Sequence, residues 1–286
     1  MELGAVGVWW SMSWRPAGAA SGAAGEIEQL GYGALWSSGG FDPGLSPHFE
    51  RLLGSTRRSV VASGIVSIWT AAPEDLASAT TGLEARYPGR FLLGLGASHA
   101  PIVEGYAKPY RRMVEYLDAL DGLDAPVHRD RRVLAALGPR MLELAADRAL
   151  GAHPYLVPVE HTERARQIMG AGPLLAPEMT AVLEPDPKKG RERARAFLRG
   201  YLALPNYADN LRSLGFSDDD LSGDGSDRLV DAVVAHGGAD ALTARVLEHR
   251  EAGADHVALQ LVTAGDGFPL DEYRTVAAAL FPSPKG

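Results

Sequence analysis

The chain has 286 residues, 46% of them hydrophobic and 22% charged, and a formal net charge of −8 from 28 Lys and Arg against 36 Asp and Glu. That length and apolar content suffice for one large core, and the acidic balance argues against a surface that tracks nucleic-acid phosphates. No cysteine is present, which excludes disulfides, thiolate nucleophiles and Cys-ligated metals.

The N-terminus, Met1 to Trp10, has neither the basic region nor the apolar stretch of a secretory signal. No apolar run approaches the roughly 18 residues of a membrane span. The expectation is a cytoplasmic protein with a small-molecule substrate and without nucleic-acid or membrane partners.

Short apolar runs alternate with helix-period segments, the pattern of a parallel sheet with crossover helices. In chain order the runs are Gly4–Trp10, Ala34–Ser37, Val60–Trp69, Phe91–Gly96, Val133–Leu137, Pro154–Val157, Thr180–Leu183 and Val257–Val262. Eight such units close a (β/α)₈ TIM barrel, an α/β fold. Ala17–Gly25 reads as a loosely specified loop and helix start. After the third run, Pro73-Glu74-Asp75 supplies an N1 proline and an acidic first turn. After the fourth, Tyr110, Met113, Val114, Leu117 and Leu120 form an apolar stripe. Pro139 opens the helix after the fifth, and Gly253 is placed to cap the last helix before the eighth run.

About 70 residues separate the seventh and eighth runs, where one helix and its loops need about 30. The excess holds a basic helix, Lys188–Leu202, the segment Leu204–Phe216 and the acidic stretch Ser217–Asp224. It reads as an insertion over about 201–236 in a single domain spanning 1–286, serving either as a wall at the catalytic face or as a solvated decoration or dimer contact.

Several residues carry candidate chemistry. Gly94-Leu-Gly-Ala-Ser98 ends the fourth run, where glycine permits close backbone approach to a ligand. His99 follows, either a proton donor near the cofactor or a surface loop residue. At Gly138-Pro139-Arg140, the first N–H groups of the helix (Arg140, Met141, Leu142) and its dipole suit a phosphate, and Arg140 adds charge. His153 reads as a buried, hydrogen-bonded histidine. All five tryptophans, Trp9, Trp10, Trp14, Trp36 and Trp69, precede residue 70 and suit an aromatic wall at a barrel mouth. Adjacent strand residues point opposite ways, so only one of Trp9 and Trp10 can face inward. The eight histidines, His48, His99, His128, His153, His161, His236, His249 and His256, show no HxH or HExxH spacing, and no metal site is expected.

Leu30-Gly-Tyr-Gly-Ala-Leu-Trp36, Tyr87-Pro-Gly-Arg-Phe-Leu-Leu-Gly-Leu-Gly-Ala-Ser98, and Gly237-Gly-Ala-Asp-Ala-Leu242 with Glu251-Ala-Gly-Ala-Asp-His-Val257 together resemble the luciferase-like flavin and deazaflavin oxidoreductases. With Ala135–Ala145 the match extends over most of the chain. It resembles most a subgroup that uses coenzyme F420. The resemblance implies a cofactor across the C-terminal mouth of the barrel, F420 or alternatively FMN, and a homodimer. It also implies a non-prolyl cis peptide at the end of the third strand, here within Ser63–Trp69 and best placed at Gly64–Ile65. The alternative there is an ordinary glycine kink.

By that match Gly39, Gly40, Ser63, Gly64, Ile65, Gly94, Gly96, Ala97, Ser98, Gly138, Pro139, Arg140 and Met141 are expected to contact the cofactor. His99 is the candidate catalytic group, and Trp9, Trp10 and Trp69 are the candidate substrate pocket. Sugar-phosphate dehydrogenases of the family carry Asp-His after the second strand, whereas this chain has Gly39-Gly40. Reduction of an activated double bond therefore fits better than alcohol oxidation by that route. The expected function is hydride transfer between F420 and a small organic substrate. An FMN-dependent monooxygenase or reductase and a non-catalytic ligand-binding barrel are the alternatives.

Overall fold

A computed structural model describes residues 1–11, 17–38, 47–101, 103–265 and 267–282. The strands are β1 (Val6–Trp10), β2 (Ala34–Ser37), β3 (Val60–Ser63), β4 (Val66–Ser67), β5 (Phe91–Gly96), β6 (Arg132–Leu134), β7 (Gly151–Ala152), β8 (Leu174–Leu175), β9 (Glu178–Leu183), β10 (Ala235–Gly237) and β11 (Val257–Leu261). All their pairings are parallel. β1 lies between β11 and β2, with Val6 opposite Val257 and Val8 opposite Leu35. The sheet continues through β3, β5, β6, β7 and β8.

β8 and β9 are two pieces of one strand, broken at Ala176-Pro177 where proline has no N–H to give the ladder. β8 pairs with β7, and Glu178 N–H at the start of β9 donates to Pro154 C=O at 2.8 Å. β9 then pairs with β11, which closes the (β/α)₈ barrel. β3 and β4 are likewise two pieces of the third strand, separated by a cis peptide bond at Gly64–Ile65. That is the bond at which the family resemblance implies it, and the alternative of an ordinary glycine kink falls.

The helices are α1 (Ala17–Gln29), α2 (Pro47–Gly54), α3 (Pro73–Arg86), α4 (Pro109–Asp121), α5 (Pro139–Arg148), α6 (Val159–Met169), α7 (Pro187–Leu202), α8 (Pro205–Ser213), α9 (Asp218–Leu221), α10 (Asp227–Val233), α11 (Ala239–Glu251) and α12 (Leu270–Leu280). α4 buries Met113, Tyr116, Leu117 and Leu120 at helical spacing. α11 ends ahead of Gly253, whose φ of 105° suits only glycine. The Ala/Gly-rich segment read as a loosely specified loop and helix start is the body of α1, because alanine's helix propensity outweighs its three glycines.

Two strand expectations are corrected. The sixth strand is Gly151–Ala152, not Pro154–Val157. Pro154 lacks a donor and Leu156 sits at φ 57°, so that run cannot extend a ladder. The short β10 was not anticipated; it pairs with the end of β9, Ala235 opposite Ala181.

α7, α8 and α10 share a small core built on Leu198, Tyr207, Leu211, Leu229 and Val230, which reaches the barrel at Leu156 and Val182. The basic helix and the acidic stretch of this region face each other. Arg191, Arg195 and Arg199, one turn apart on α7, pair with Asp231, Asp227 and Asp224 respectively. Among the described residues, no helix is long and apolar enough to cross a membrane.

Candidate functional site

The carboxyl ends of the barrel strands open on a cavity of about 620 Å³, within the range of small-molecule sites. The first six barrel strands, or the connections after them, and the insertion contribute. Trp9 comes from β1, Ser38 follows β2, Gly64, Ile65 and Ser67 come from the third strand, and Gly96 to His99 end β5. Ala135 to Gly138 follow β6, and His153 and Tyr155 follow β7. The end of α7 supplies Gly200, and the insertion Tyr201, Leu204, Asn206 and Tyr207. No Asp, Glu, Lys or Arg lines the cavity among the described residues.

Glycine makes the wall between the third strand and β5 possible. A Cβ on Gly96 would lie 2.5 Å from the end of the Ile65 side chain, so Ile65 can rest flat against that glycine. Ser63 Oγ accepts from Gly94 N–H at 2.7 Å and donates to Gly94 C=O at 3.1 Å, stitching β3 to β5 just before the cis bond.

A second wall is aromatic. Tyr155 packs on Trp9, ring centroids 5.0 Å apart, and on Tyr201 at 5.6 Å. Tyr155 O–H donates to Gln260 Oε1 at 2.9 Å, which leaves its oxygen to accept from Tyr201 O–H at 3.1 Å. Burial pushes the phenols of Tyr155 and Tyr207 well above their ordinary range and that of Tyr201 up to about 12, so all three stay protonated at neutral pH. Glu178, fully buried, accepts from Thr180 O–H at 2.6 Å and Leu156 N–H at 3.0 Å; burial nevertheless raises its carboxyl to about 7.

Two histidines line the cavity. His99 donates from Nδ1 to Asn206 Oδ1 at 2.9 Å, tying the end of β5 to α8, and stacks obliquely on Tyr207. Burial lowers its pKa, against the Asn206 bond, which raises it. Replacing Asn206 by Leu should therefore depress the His99 pKa further, read from its imidazole NMR titration; an unchanged or raised pKa would mean the contact is absent in solution. His153 is locked more firmly. Its Nδ1–H donates to Ala176 C=O at 2.7 Å, and its ring stacks on Trp36 at 4.1 Å and 13°. Trp36 in turn donates to His256 Nε2, whose Nδ1–H donates to Gly4 C=O. Burial holds His153 down to about 4, hence neutral.

Of the anticipated residues, Trp9, Gly64, Ile65, Gly96, Ala97, Ser98, His99, Gly138 and Met141 line the cavity together. Gly39 and Gly40 lie outside the described residues, as does Trp14. Ser63 and Gly94 sit behind the wall, bonded to each other. Trp10 turns away into the core against Phe268, leaving Trp9 as the inward one of the pair. Trp69 stands outside the lining, its indole donating to Ala97 C=O at 2.7 Å. Pro139 and Arg140 are exposed and off the cavity wall, and the Arg140 guanidinium lies 4.0 Å over the Tyr110 ring. Of the three amides expected to be free at the start of α5, those of Met141 and Leu142 already donate to Gly138 C=O at 3.1 Å.

The sequence reading missed Tyr155, Tyr201, Asn206 and Tyr207. The one available signal was the aromatic content of the insertion, Tyr201, Tyr207 and Phe216, which a solvated decoration would not carry.

Residues 13–256 match the family model described as luciferase-like monooxygenase. Among solved structures, an F420-dependent secondary alcohol dehydrogenase in complex with an F420–acetone adduct is similar, with a TM-score of 0.72, 17% identity and coverage of 98% of this chain and 99% of that one. The coenzyme F420-dependent tetrahydromethanopterin reductase from Methanopyrus kandleri gives 0.73 and 15%, covering 99% of each chain. The oxygenating constituent of 3,6-diketocamphane monooxygenase from Pseudomonas putida, in complex with FMN, gives 0.66 and 15%, covering 96% and 95%. At such identities the likeness concerns the fold. No curated protein sequence matches the chain significantly.

Proposed function

The chain belongs to the luciferase-like monooxygenase family, and from that premise we propose that it is an oxidoreductase holding coenzyme F420 in the barrel-mouth cavity. When bound, the deazaflavin supplies the acceptor or donor of a hydride. The observation that carries this reading is the smooth wall of Gly64, Ile65, Gly96 and Ala97 beside a 620 Å³ space, suited to a planar ring. The F420 complex and the F420-dependent reductase among the similar structures favour the deazaflavin.

In this reading Ile65 backs the ring, Tyr155, Tyr201 and Tyr207 exclude water from it, and the protonated Tyr207 phenol offers a hydrogen-bond donor without carrying charge, the protons of Tyr155 and Tyr201 being committed to Gln260 and Tyr155. FMN on the same wall is the second reading, favoured by the FMN-bound similar structure. A fluorescence titration separates the two. F420 should bind more tightly than FMN, and tight FMN binding with no F420 signal would reverse the assignment.

The anionic tail of F420 would leave the neutral cavity toward Arg140, Lys108, Arg111 and Arg112. Arg140→Ala should weaken F420 binding by about 1 kcal/mol, a loss that shrinks with added salt because the side chain is exposed. Unchanged affinity at low salt would remove Arg140 from the site.

A further inference from the structure

Two polar atoms at the cavity wall are left without partners by the fold. The Trp9 indole Nε1–H and His153 Nε2 have no hydrogen-bond partner among the described residues, although Trp9 is 4% exposed and His153 1%. Burying either without a partner is costly, and groups so placed on a binding surface are expected to be satisfied by what binds there. Their polarity is fixed. An indole N–H only donates, and since His153 Nδ1–H is committed to Ala176 C=O, Nε2 only accepts. Burial, which keeps His153 neutral, preserves that role.

Both atoms converge on one point. They lie 2.5 and 3.1 Å from the position a Cβ would take on Gly64, so glycine lets both rings close on that point and the two atoms are less than about 6 Å apart. That spacing lets one oxygen lie within hydrogen-bond reach of both. A carbonyl, ether or carboxylate oxygen could accept from Trp9 but would leave His153 unpaired, and an ammonium could donate to His153 but would leave Trp9 unpaired. A hydroxyl does both. The rest of the lining carries no ionised group and offers Ile65, Ala135, Leu137, Met141 and Leu204.

We propose that Trp9 and His153 form a subsite for a hydroxyl group on an otherwise apolar, uncharged substrate, the hydroxyl oxygen accepting from the Trp9 indole and its proton donated to His153 Nε2. The proposal rests on the cavity being the substrate site and assigns its specificity. It does not require the hydroxyl carbon to be the reacting centre.

The test uses ¹⁵N-labelled full-length protein without cofactor, so its outcome is separate from the choice between F420 and FMN. Cyclohexanol, cyclohexanone and methoxycyclohexane share a skeleton but differ in hydrogen-bonding capacity. Trp9 is one of only five indole N–H signals and is assigned by its loss in Trp9→Phe. Should that variant fail to fold, nuclear Overhauser contacts to the adjacent Tyr155 ring assign it. Cyclohexanol should move the Trp9 N–H downfield and His153 Nε2 upfield together, and bind about tenfold more tightly than the ketone or the ether. Equal binding of all three with His153 Nε2 unmoved would overturn the proposal. So would an Nε2 shift already at its hydrogen-bonded value and unchanged by every probe, which would mean a resident water only.

Discussion

Lowering the pH from 7 toward 4 should unfold the protein cooperatively. His153, His161, His249 and His256 are each at most 1% exposed, and burial holds them down to about 4, 4, 3 and 4 respectively. In the unfolded chain each titrates near 6.5. Between these values the unfolded state binds more protons, so this contribution is fully present above pH 6.5 and is lost as pH falls. One pKa unit corresponds to about 1.4 kcal/mol. Even at half weight the four groups sum to several kcal/mol, against a typical total stability of about 5–15. Asp231, held near 2 by Arg191 and His236, adds to the loss below about pH 4. Glu178 opposes it. Its raised carboxyl destabilises the fold above pH 7, and that penalty disappears as pH falls toward 4.5, one group against four. Calorimetry from pH 8 to pH 4 should show Tm falling below about 6.5 and no native transition near 4. A Tm unchanged between 7 and 5 would mean that these histidines are hydrated or charged in the native state.

Gly94→Ala and Gly96→Ala should part company, although the two positions are two residues apart on one strand. A Cβ on Gly94 would lie 2.0 Å from Ser63 C=O, a backbone atom of the neighbouring strand that cannot rotate aside. β3 and β5 would have to separate, breaking the two Ser63–Gly94 hydrogen bonds, at about 3 kcal/mol or more. On Gly96 the obstacle is the flexible end of Ile65, which can turn into the cavity at about 1 kcal/mol. Gly94→Ala should therefore lower Tm sharply, while Gly96→Ala should stay folded and lose cofactor affinity about tenfold or more. Equal Tm losses would put the two glycines in the same role. A Gly96→Ala protein with undiminished affinity would move the ring elsewhere.

That contrast also marks what the sequence could and could not convey. Both glycines sit in one Gly94-Leu-Gly-Ala-Ser98 motif, and the motif correctly located a strand end at the cavity. Which glycine faces a ligand and which faces a neighbouring carbonyl depends on strand register, and that is set by Ser63, 31 positions from Gly94. β2 and β5 were readable to the residue because glycine, serine or proline brackets a strongly apolar run. The sixth strand was misplaced because its two ladder residues, Gly151 and Ala152, carry no apolar signal, whereas the Pro154–Val157 run beside them does. Trp9 could be recognised as a cavity candidate from its position, but not its pairing with His153, since a hydrogen-bond orphan exists only once everything around it has been paired. Tyr155, Tyr201 and Tyr207 meet only because the insertion folds back over the barrel mouth.

The arginine ladder on α7 has a degeneracy built into it. Its rungs are all positive on one side and all negative on the other, and Arg191 already reaches Asp227 at 3.6 Å as well as Asp231 at 2.6 Å. Sliding one partner by a helical turn would re-form two of the three rungs and give up one solvent-exposed pair, a small loss. The ladder therefore brings the two segments together without telling them where to stop. The stopping point is dictated by shape, through Leu198 against the Leu229 and Val230 cluster, so the alignment of Tyr201 over the barrel mouth is decided by greasy side chains rather than by charges.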